Sequence, residues 1–247
     1  MDSSEFQFQF IHLNSVSSTN IYAFEHLRQK SIRGATVITA SFQDNGKGQA
    51  GKDWESERNK NLNISIIVSP KINVEHQFKL SQLVAISLKK WLDTLAVEGV
   101  KIKWPNDILV NGKKVAGVLI ENSVLKQQIT HSVIGIGVNV NQDVFEKFDR
   151  PATSLKLELK RNYDLKKALT EFIKLFQSYY VLFLKGDVNF QQDYLKHLFG
   201  YGVPQQFQDA EGKFLGVILG VLPSGKLQVN RNGKLKSYGL KELKFLD

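Results

Sequence analysis

Asn111-Gly112 separates two apolar runs, Ile108-Leu109-Val110 and Val115-Ala116-Gly117-Val118-Leu119-Ile120. Both residue types tolerate positive φ, which a two-residue hairpin loop requires, so the pair predicts two antiparallel strands joined by a tight turn. The strands expected on this reading are 107–111 and 114–121, with further short strands at 100–104 and 130–138. Hairpin pairing makes the sheet antiparallel or mixed.

Helical spacing flanks this block. Residues 17–30 begin with the capping residues of SSTN and place Ile21, Phe24 and Leu27 on one face. From 76 to 97, Leu80, Leu83, Val84, Leu88, Trp91, Leu92 and Leu95 keep a 3.6-residue period and predict a long helix covering the sheet. A last long helix is expected over 164–185, with Asp164 as its cap. Two β-branched segments, 35–42 and 62–69, read as strands on either side of a polar, glycine-rich loop. From about Tyr201 the texture changes to short β-like pieces broken by glycines at 202, 212, 216, 220, 225, 233 and 239. Such spacing suggests a small five-stranded, SH3-like barrel, which divides the chain into domains at 1–200 and 201–247. The expected class is therefore α+β, a largely antiparallel mixed sheet covered by helices, with a small β-module at the end.

The 247 residues are enough for a sizeable core, and a 42% hydrophobic to 23% charged balance is that of a globular chain. There is no cysteine, so disulfide and thiolate chemistry are excluded. The start, MDSSEFQFQFIHL, has no basic n-region, and no apolar run reaches the roughly 18 residues of a membrane span. A cytoplasmic protein is expected. The net charge of +9 comes from scattered lysines and doublets such as Lys89-Lys90, Lys113-Lys114 and Lys166-Lys167. A nucleic-acid-binding surface would concentrate them, whereas anionic substrates or an acidic partner need only a positive field.

Chemistry gathers in three places. Gly46, Gly48 and Gly51 spell G-x-G-x-x-G, but the segment continues through Lys52-Asp53-Trp54 into a strand rather than a helix. It therefore lacks the helix N-terminus on which a dinucleotide-binding site depends. What remains is a loop whose amides can approach an anion, bordered by Lys47 and Lys52, with Trp54 as a stacking surface. The second place is Lys103-Trp104-Pro105-Asn106-Asp107, followed after the hairpin by Lys114 and by Ala116-Gly117, where a missing side chain lets a ligand lie against backbone. A lysine beside such a gap suits a carboxylate or phosphate, although NGKK alone is also what a solvated turn looks like. The third is IGIGVNVN, in which Asn139 needs a hydrogen-bond partner if buried, either a ligand edge or a turn that it caps. The five histidines are isolated and read as structural, and no nucleophile motif or metal cluster is visible.

In this order, and with SSTN ahead of them, these motifs resemble the catalytic core of the biotin protein ligases, and the resemblance spans nearly the whole chain. It implies a class II aminoacyl-tRNA synthetase-like fold and a two-step reaction. Biotin and ATP, with magnesium, give biotinyl-5′-AMP, and the acyl group then passes to a lysine of the biotin carboxyl carrier protein of a biotin-dependent carboxylase. Carried over by position, Ser18, Thr19 and Gln43 bind the ureido end of biotin, with Asn20, Gly46, Lys47, Gly48, Gln49 and Gly117 also around the biotin. Lys114 contacts the carboxylate and the α-phosphate as the catalytic residue. Lys47, Lys52, Trp54, Lys103, Asn106, Asp107 and Asn139 serve the adenylate, and no residue is assigned to a metal.

Two departures stand out. Family loops read G-R-G-R-x-G-R, whereas Lys47, Gln49 and Lys52 occupy the arginine positions here, so the bidentate fork is lost and at Gln49 the charge as well. Fewer than twenty residues precede SSTN, which leads to the expectation of a ligase without the DNA-binding domain that some members carry, with no specific DNA partner and a homodimer left open. The alternatives are a lipoate or octanoate protein ligase, whose Arg-rich and Gly-Gly-Gly segment is missing, and a non-catalytic basic nucleic-acid-binding module.

Overall fold

Asn111 and Gly112 both adopt positive φ, 49° and 79°, and close the hairpin between β6 (Asp107–Val110) and β7 (Lys113–Leu125). A second turn of the same kind, at Lys126 (φ 46°) and Gln127 (φ 65°), joins β7 to β8 (Gln128–Val138). Lys-Gln carries no hairpin signal, which is why the sequence reading stops both strands short. The computed structural model describes residues 7–29, 34–145, 151–186 and 189–246.

The order along the chain begins with β1 (Gln9–Leu13), α1 (Thr19–Arg28), β2 (Thr36–Ala40), β3 (Leu62–Val68), β4 (Ile72–Asn73), α2 (Phe78–Thr94) and β5 (Val100–Lys103). β6 to β8 follow, then α3 (Leu155–Leu159), α4 (Leu165–Lys185) and α5 (Phe190–His197). β9 (Pro204–Asp209), β10 (Gly212–Val221), β11 (Leu227–Arg231), β12 (Lys234–Tyr238) and β13 (Lys244–Leu246) complete it. The predicted helices at 17–30, 76–97 and 164–185 are present within a few residues of their expected ends; Lys30, the last residue of the first, lies outside the described residues. Asp164 caps α4 as predicted, its carboxylate accepting from the Lys167 amide. β1, β4, α3 and α5 were not anticipated: each is short, from two to eight residues, which gives a periodic pattern few positions in which to show.

The main sheet has the order β1-β2-β3-β8-β7-β6-β5, with β4 paired to β8. β1 runs parallel to β2 and every other pair is antiparallel, giving the mixed, largely antiparallel sheet expected. One face carries Leu62, Ile64, Ile66, Val118, Ile134 and Ile136 against the apolar sides of α2 and α4, where Trp91 and Phe172 meet at 5.8 Å between ring centroids. The opposite face holds only a small apolar cluster, Ala23, Ile38, Ile67 and Val133, beneath α1. The rest of that face is left for polar groups and glycines.

β9 to β13 form a second, antiparallel sheet of order β12-β11-β10-β9-β13, whose outer strands are not hydrogen-bonded to each other, so closure into a barrel is not seen. Its inner residues Phe207, Ile218, Leu227 and Val229 continue the core of the main sheet. Polar ties reinforce the junction: Trp104 Nε1 donates to Gly225 O at 2.8 Å and Gln191 Nε2 to Val221 O at 2.8 Å. Among the described residues no helix is long and apolar enough to cross a membrane. A Trp104→Phe variant keeps an aromatic ring but loses the pyrrole part of the indole and leaves the Gly225 carbonyl without its donor, so chemical denaturation should show a loss of at least about 1–2 kcal/mol.

Candidate active site

The open face of the main sheet is organised by two rows of residues that lie side by side across the strands. One runs Ala40, Asn63, Gly137, Gly117, Asp107 through β2, β3, β8, β7 and β6. The next runs Ile38, Ser65, Gly135, Leu119. Directly paired residues share a face, so Gly137, Gly117 and Gly135 open a trough of bare backbone, bounded by polar side chains and by Asp107. A methyl at Gly137 would sit inside the indole of Trp54, 2.6 Å from Nε1, and one at Gly117 would be 3.2 Å from the same ring. One at Gly135 would be 2.9 Å from Asn20 Cγ. These glycines thus make room for close approach, here by the chain's own Trp54, Lys114 and Asn20 side chains.

Lys114 reaches this face because the strand is irregular. Ile108 pairs with Ala116 but Leu109 pairs with Lys114, which leaves Val115 as the extra residue of a β-bulge. With strict alternation Lys114 would share the face of Ala116 and enter the core. Instead Val115 and Ala116 are both buried in the core, and Lys114 Nζ sits 2.7 Å from Asp107 Oδ1 and 5.5 Å from the Trp54 ring centroid. Lysine, carboxylate and indole therefore converge at one end of the trough.

The glycine-rich loop folds back on itself as a flap. Lys47 and Asp53 pair in antiparallel fashion, Gly48 N donates to Lys52 O at 2.7 Å, Trp54 N donates to Gly46 O at 2.9 Å, and Gln49–Gly51 form a single 3₁₀ turn. No helix follows, in keeping with the rejection of a dinucleotide motif. Lys47 is engaged with Asn45 Oδ1 and Asp53 Oδ1, at 2.5 and 3.3 Å, while Lys52 is exposed at the flap tip and Gln49 is partly buried.

At the other end of the trough the SSTN segment begins α1. Ser18 is the N-terminal boundary residue and is buried, though its side chain makes no capping bond. The Thr19 amide donates to Gln43 Oε1 at 2.7 Å, and Ser65 Oγ lies 2.8 Å from Thr19 Oγ1 and 2.6 Å from Asn20 Oδ1. Gly135 and Gly137 are two residues apart on β8, roughly 6.6 Å, so the hydroxyl-and-amide end and the lysine end are spaced for one small polar ring and its substituent.

Three predicted residues make structural bonds. Asn106 Nδ2 donates to Val118 O at 2.8 Å and so braces the turn before β6 against β7. Asn139, buried just after β8, donates to Thr153 O at 3.0 Å and holds the segment ahead of α3. Of its two open readings, a ligand edge or a turn to brace, these bonds are of the second kind. Lys103, opposite Asp107, holds its ammonium 4.7 Å from the Phe245 ring of β13. The sequence reading missed Ser65 and Asn63, which border the trough from β3, and Glu121 of β7, which lies beyond it and bonds Asn20. Asn63 Oδ1 and Trp54 Nε1, on either side of Gly137, are buried with no hydrogen-bond partner, an acceptor and a donor facing the trough. The one signal that could have found Ser65 and Asn63 is polarity on the alternate positions of an otherwise apolar strand.

Comparison with known proteins gives the family of the chain. Residues 13–139 match the model of the Biotin/lipoate A/B protein ligase family. The bifunctional ligase/repressor BirA of Bacillus subtilis is 28% identical over 241 residues, covering 92% of this chain and 70% of its own length. A biotin--[acetyl-CoA-carboxylase] ligase of Paracoccus denitrificans is 31% identical over 130 residues, covering 52% of this chain and 53% of its own. Among solved structures, the biotin protein ligase of Aquifex aeolicus in complex with biotin and ATP superposes with a TM-score of 0.76 at 25% identity, covering 96% of this chain and 98% of that one. The fold and site define a ligase with an open glycine trough. The chain belongs to the Biotin/lipoate A/B protein ligase family.

Because a side chain at position 137 cannot coexist with the indole, Gly137→Ala should expel Trp54 from the trough. Trp91 and Trp104 are almost fully buried elsewhere, so the emission should shift to the red and become more quenchable, and an unchanged spectrum would contradict this placement.

Proposed function

We propose that this protein joins biotin to a lysine of a biotin carboxyl carrier protein, using ATP and passing through biotinyl-5′-AMP. The observation that carries the reading is the placement of Lys114 by the Val115 bulge at one end of a trough whose other end is a cluster of amide and hydroxyl groups. A molecule that fills both ends is a small, neutral, hydrogen-bonding ring with an acidic tail.

In the first step a carboxylate oxygen of biotin attacks the α-phosphorus of ATP and pyrophosphate leaves. Two anions must be brought together, and a fixed ammonium offsets their repulsion and then stabilises the charge of the transition state. Lys114 is assigned this work. Asp107, 2.7 Å away, holds the ammonium over the trough until the anions arrive. Lys47 and Lys52 on the flap add positive charge above the phosphates, and Trp54 excludes water from the mixed anhydride. In the second step the amine of the carrier lysine attacks the acyl carbon and AMP leaves; no nucleophile from this chain is required. Magnesium neutralises the triphosphate when bound. No group of three acidic or histidine side chains that could cage a metal gathers among the described residues, so the donor set suits an ion that arrives on ATP and is held mostly by its phosphates and water.

The same reading assigns 1–200 to a catalytic unit and 201–247 to an SH3-like one, and places the protein in the cytoplasm, where carboxylases and ATP are found. The net charge of +9 favours docking of anionic substrates and of an acidic carrier surface. Incubation with ATP, magnesium, biotin and a carrier domain, with lipoate in parallel, tests the function by mass. The biotin increment on the carrier is expected; a lipoyl increment in its place would favour a lipoate ligase, and no increment would overturn the proposal. Lys114→Ala should stay folded yet form adenylate at least about a hundredfold more slowly, as for loss of one charge-stabilising donor; pyrophosphate release reads the first step without the carrier.

A further inference from the structure

We infer that Glu121 fixes which atoms of the polar end of the trough accept hydrogen bonds and which donate, and thereby sets specificity for a ring with free N–H groups; this rests on the biotin reading above. Glu121 lies on β7, exposed and beyond the trough, and nothing in the proposed chemistry uses it. Its Oε2 accepts from Asn20 Nδ2 at 2.8 Å.

The consequence follows from counting protons. A carboxylate has no hydrogen to give, so the Asn20 amide must turn its nitrogen towards Glu121 and its oxygen towards Ser65. Leu119 O lies on the same side at 3.4 Å, the long limit of a hydrogen bond, and reinforces that orientation without fixing it. Asn20 Oδ1 has no hydrogen either, so the Ser65 hydroxyl donates to it across 2.6 Å. Ser65 has then used its only proton, and the 2.8 Å contact between Ser65 and Thr19 can be a hydrogen bond only if Thr19 donates. The Thr19 hydroxyl also lies 3.0 Å from Gln43 Oε1, which can accept it beside the Thr19 amide at 2.7 Å; whether it donates there or to Ser65, it accepts from neither while the Ser65 proton is committed to Asn20. The Asn20 and Ser65 protons both point towards Glu121. Thr19 Oγ1 is left with both lone pairs, and Gln43 Nε2 remains a donor beneath the flap, where a methyl on Gly46 would come within 3.0 Å of it.

A pocket end of this polarity pairs with a cyclic urea, whose N–H groups meet Thr19 and whose carbonyl meets an amide donor. If Asn20 turned over, its nitrogen would donate to Ser65, Ser65 to Thr19, and Thr19 to Gln43. Thr19 would lose one of its two accepting positions. Ser65, Thr19 and Asn20 are each buried, so an unmatched acceptor there is not rescued by solvent. Glu121 is therefore a positioning residue that acts through Asn20 and Ser65.

The test compares Glu121→Gln and Glu121→Lys with the wild type in pyrophosphate release, using biotin, an analogue methylated on one ureido nitrogen, and an analogue lacking the sulfur but keeping the free urea. Glu121→Gln can still offer an oxygen to Asn20 and should behave like the wild type. Glu121→Lys offers only donors and turns Asn20 over. Its KM for biotin should rise about tenfold, as for one mismatched hydrogen bond, with kcat unchanged because the reacting carboxylate is at the other end. Its preference for biotin over the N-methyl analogue should fall by a similar factor, while the ratio of biotin to the sulfur-free analogue stays constant. A merely structural role would weaken all three ligands alike; that result, or an unaltered N-methyl ratio, overturns the inference. Should the wild type itself form no adenylate from biotin, the functional reading fails, and the wild-type arm shows this separately.

Discussion

Three glycines without side chains, on two neighbouring central strands, are the constraint around which the rest of the site is arranged. In an ordinary half-covered sheet, Gly117, Gly135 and Gly137 would be apolar residues under a second helix layer. Here their absence of bulk lets Trp54 and Asn20 rest on backbone. Close packing tolerates no such gap unless something fills it, and the fillers come from segments distant in sequence: the flap after β2 and the first turn of α1. Binding at this face is thus a matter of what lies in the trough, and the chain already supplies one aromatic and one amide side chain to it.

The second requirement is charge at a defined place. A lysine directly before a buried valine–alanine pair would, on a regular strand, share the face of the alanine and enter the core, where its desolvation would be prohibitive. The bulge at Val115 removes the conflict by adding one residue to β7, so that hydrophobic Val115 and Ala116 both serve the core while Lys114 serves the trough. Its partner Asp107 follows from register, since it is paired with Gly117 across the β6–β7 ladder. The tight Asn-Gly turn that starts this hairpin therefore has a consequence well beyond the turn, because it sets which residues stand opposite one another.

The two sheets are not independent in energetic terms. Apolar residues of the C-terminal sheet run into the main core, Trp104 donates to Gly225, and Lys103 lies over Phe245. Position 103 thus looks to the second sheet as much as to the site. The polar side chains that reading by motif would collect as ligand contacts divide accordingly. Asn106 and Asn139 hold backbone in place, whereas Thr19, Gln43 and Lys114 line the trough.

Much of this was legible in the sequence, for identifiable reasons. Period-3.6 and period-2 patterns placed the three long helices and the central strands, Asn111-Gly112 placed the hairpin, Asp164 placed a helix start, and the glycine loop followed by a strand excluded a dinucleotide fold. These are local effects, each decided within a few residues by backbone sterics or by burial of one face. The Lys126-Gln127 turn, the short strands β1 and β4 and the helices α3 and α5 were not legible, because their conformations are imposed by neighbours in space. The same holds within the site. Sequence alone singled out a lysine, a glycine pair, an asparagine-rich strand end and a glycine-rich loop, and the family resemblance led to the expectation that they share one site. Only the tertiary structure decided that Lys114 faces the trough rather than the core, that Trp54 occupies it, and that Ser65 and Glu121 order the hydrogen bonds of Asn20. Each of those outcomes depends on strand register and on a bulge, which are properties of pairs of strands and cannot be read from either strand by itself.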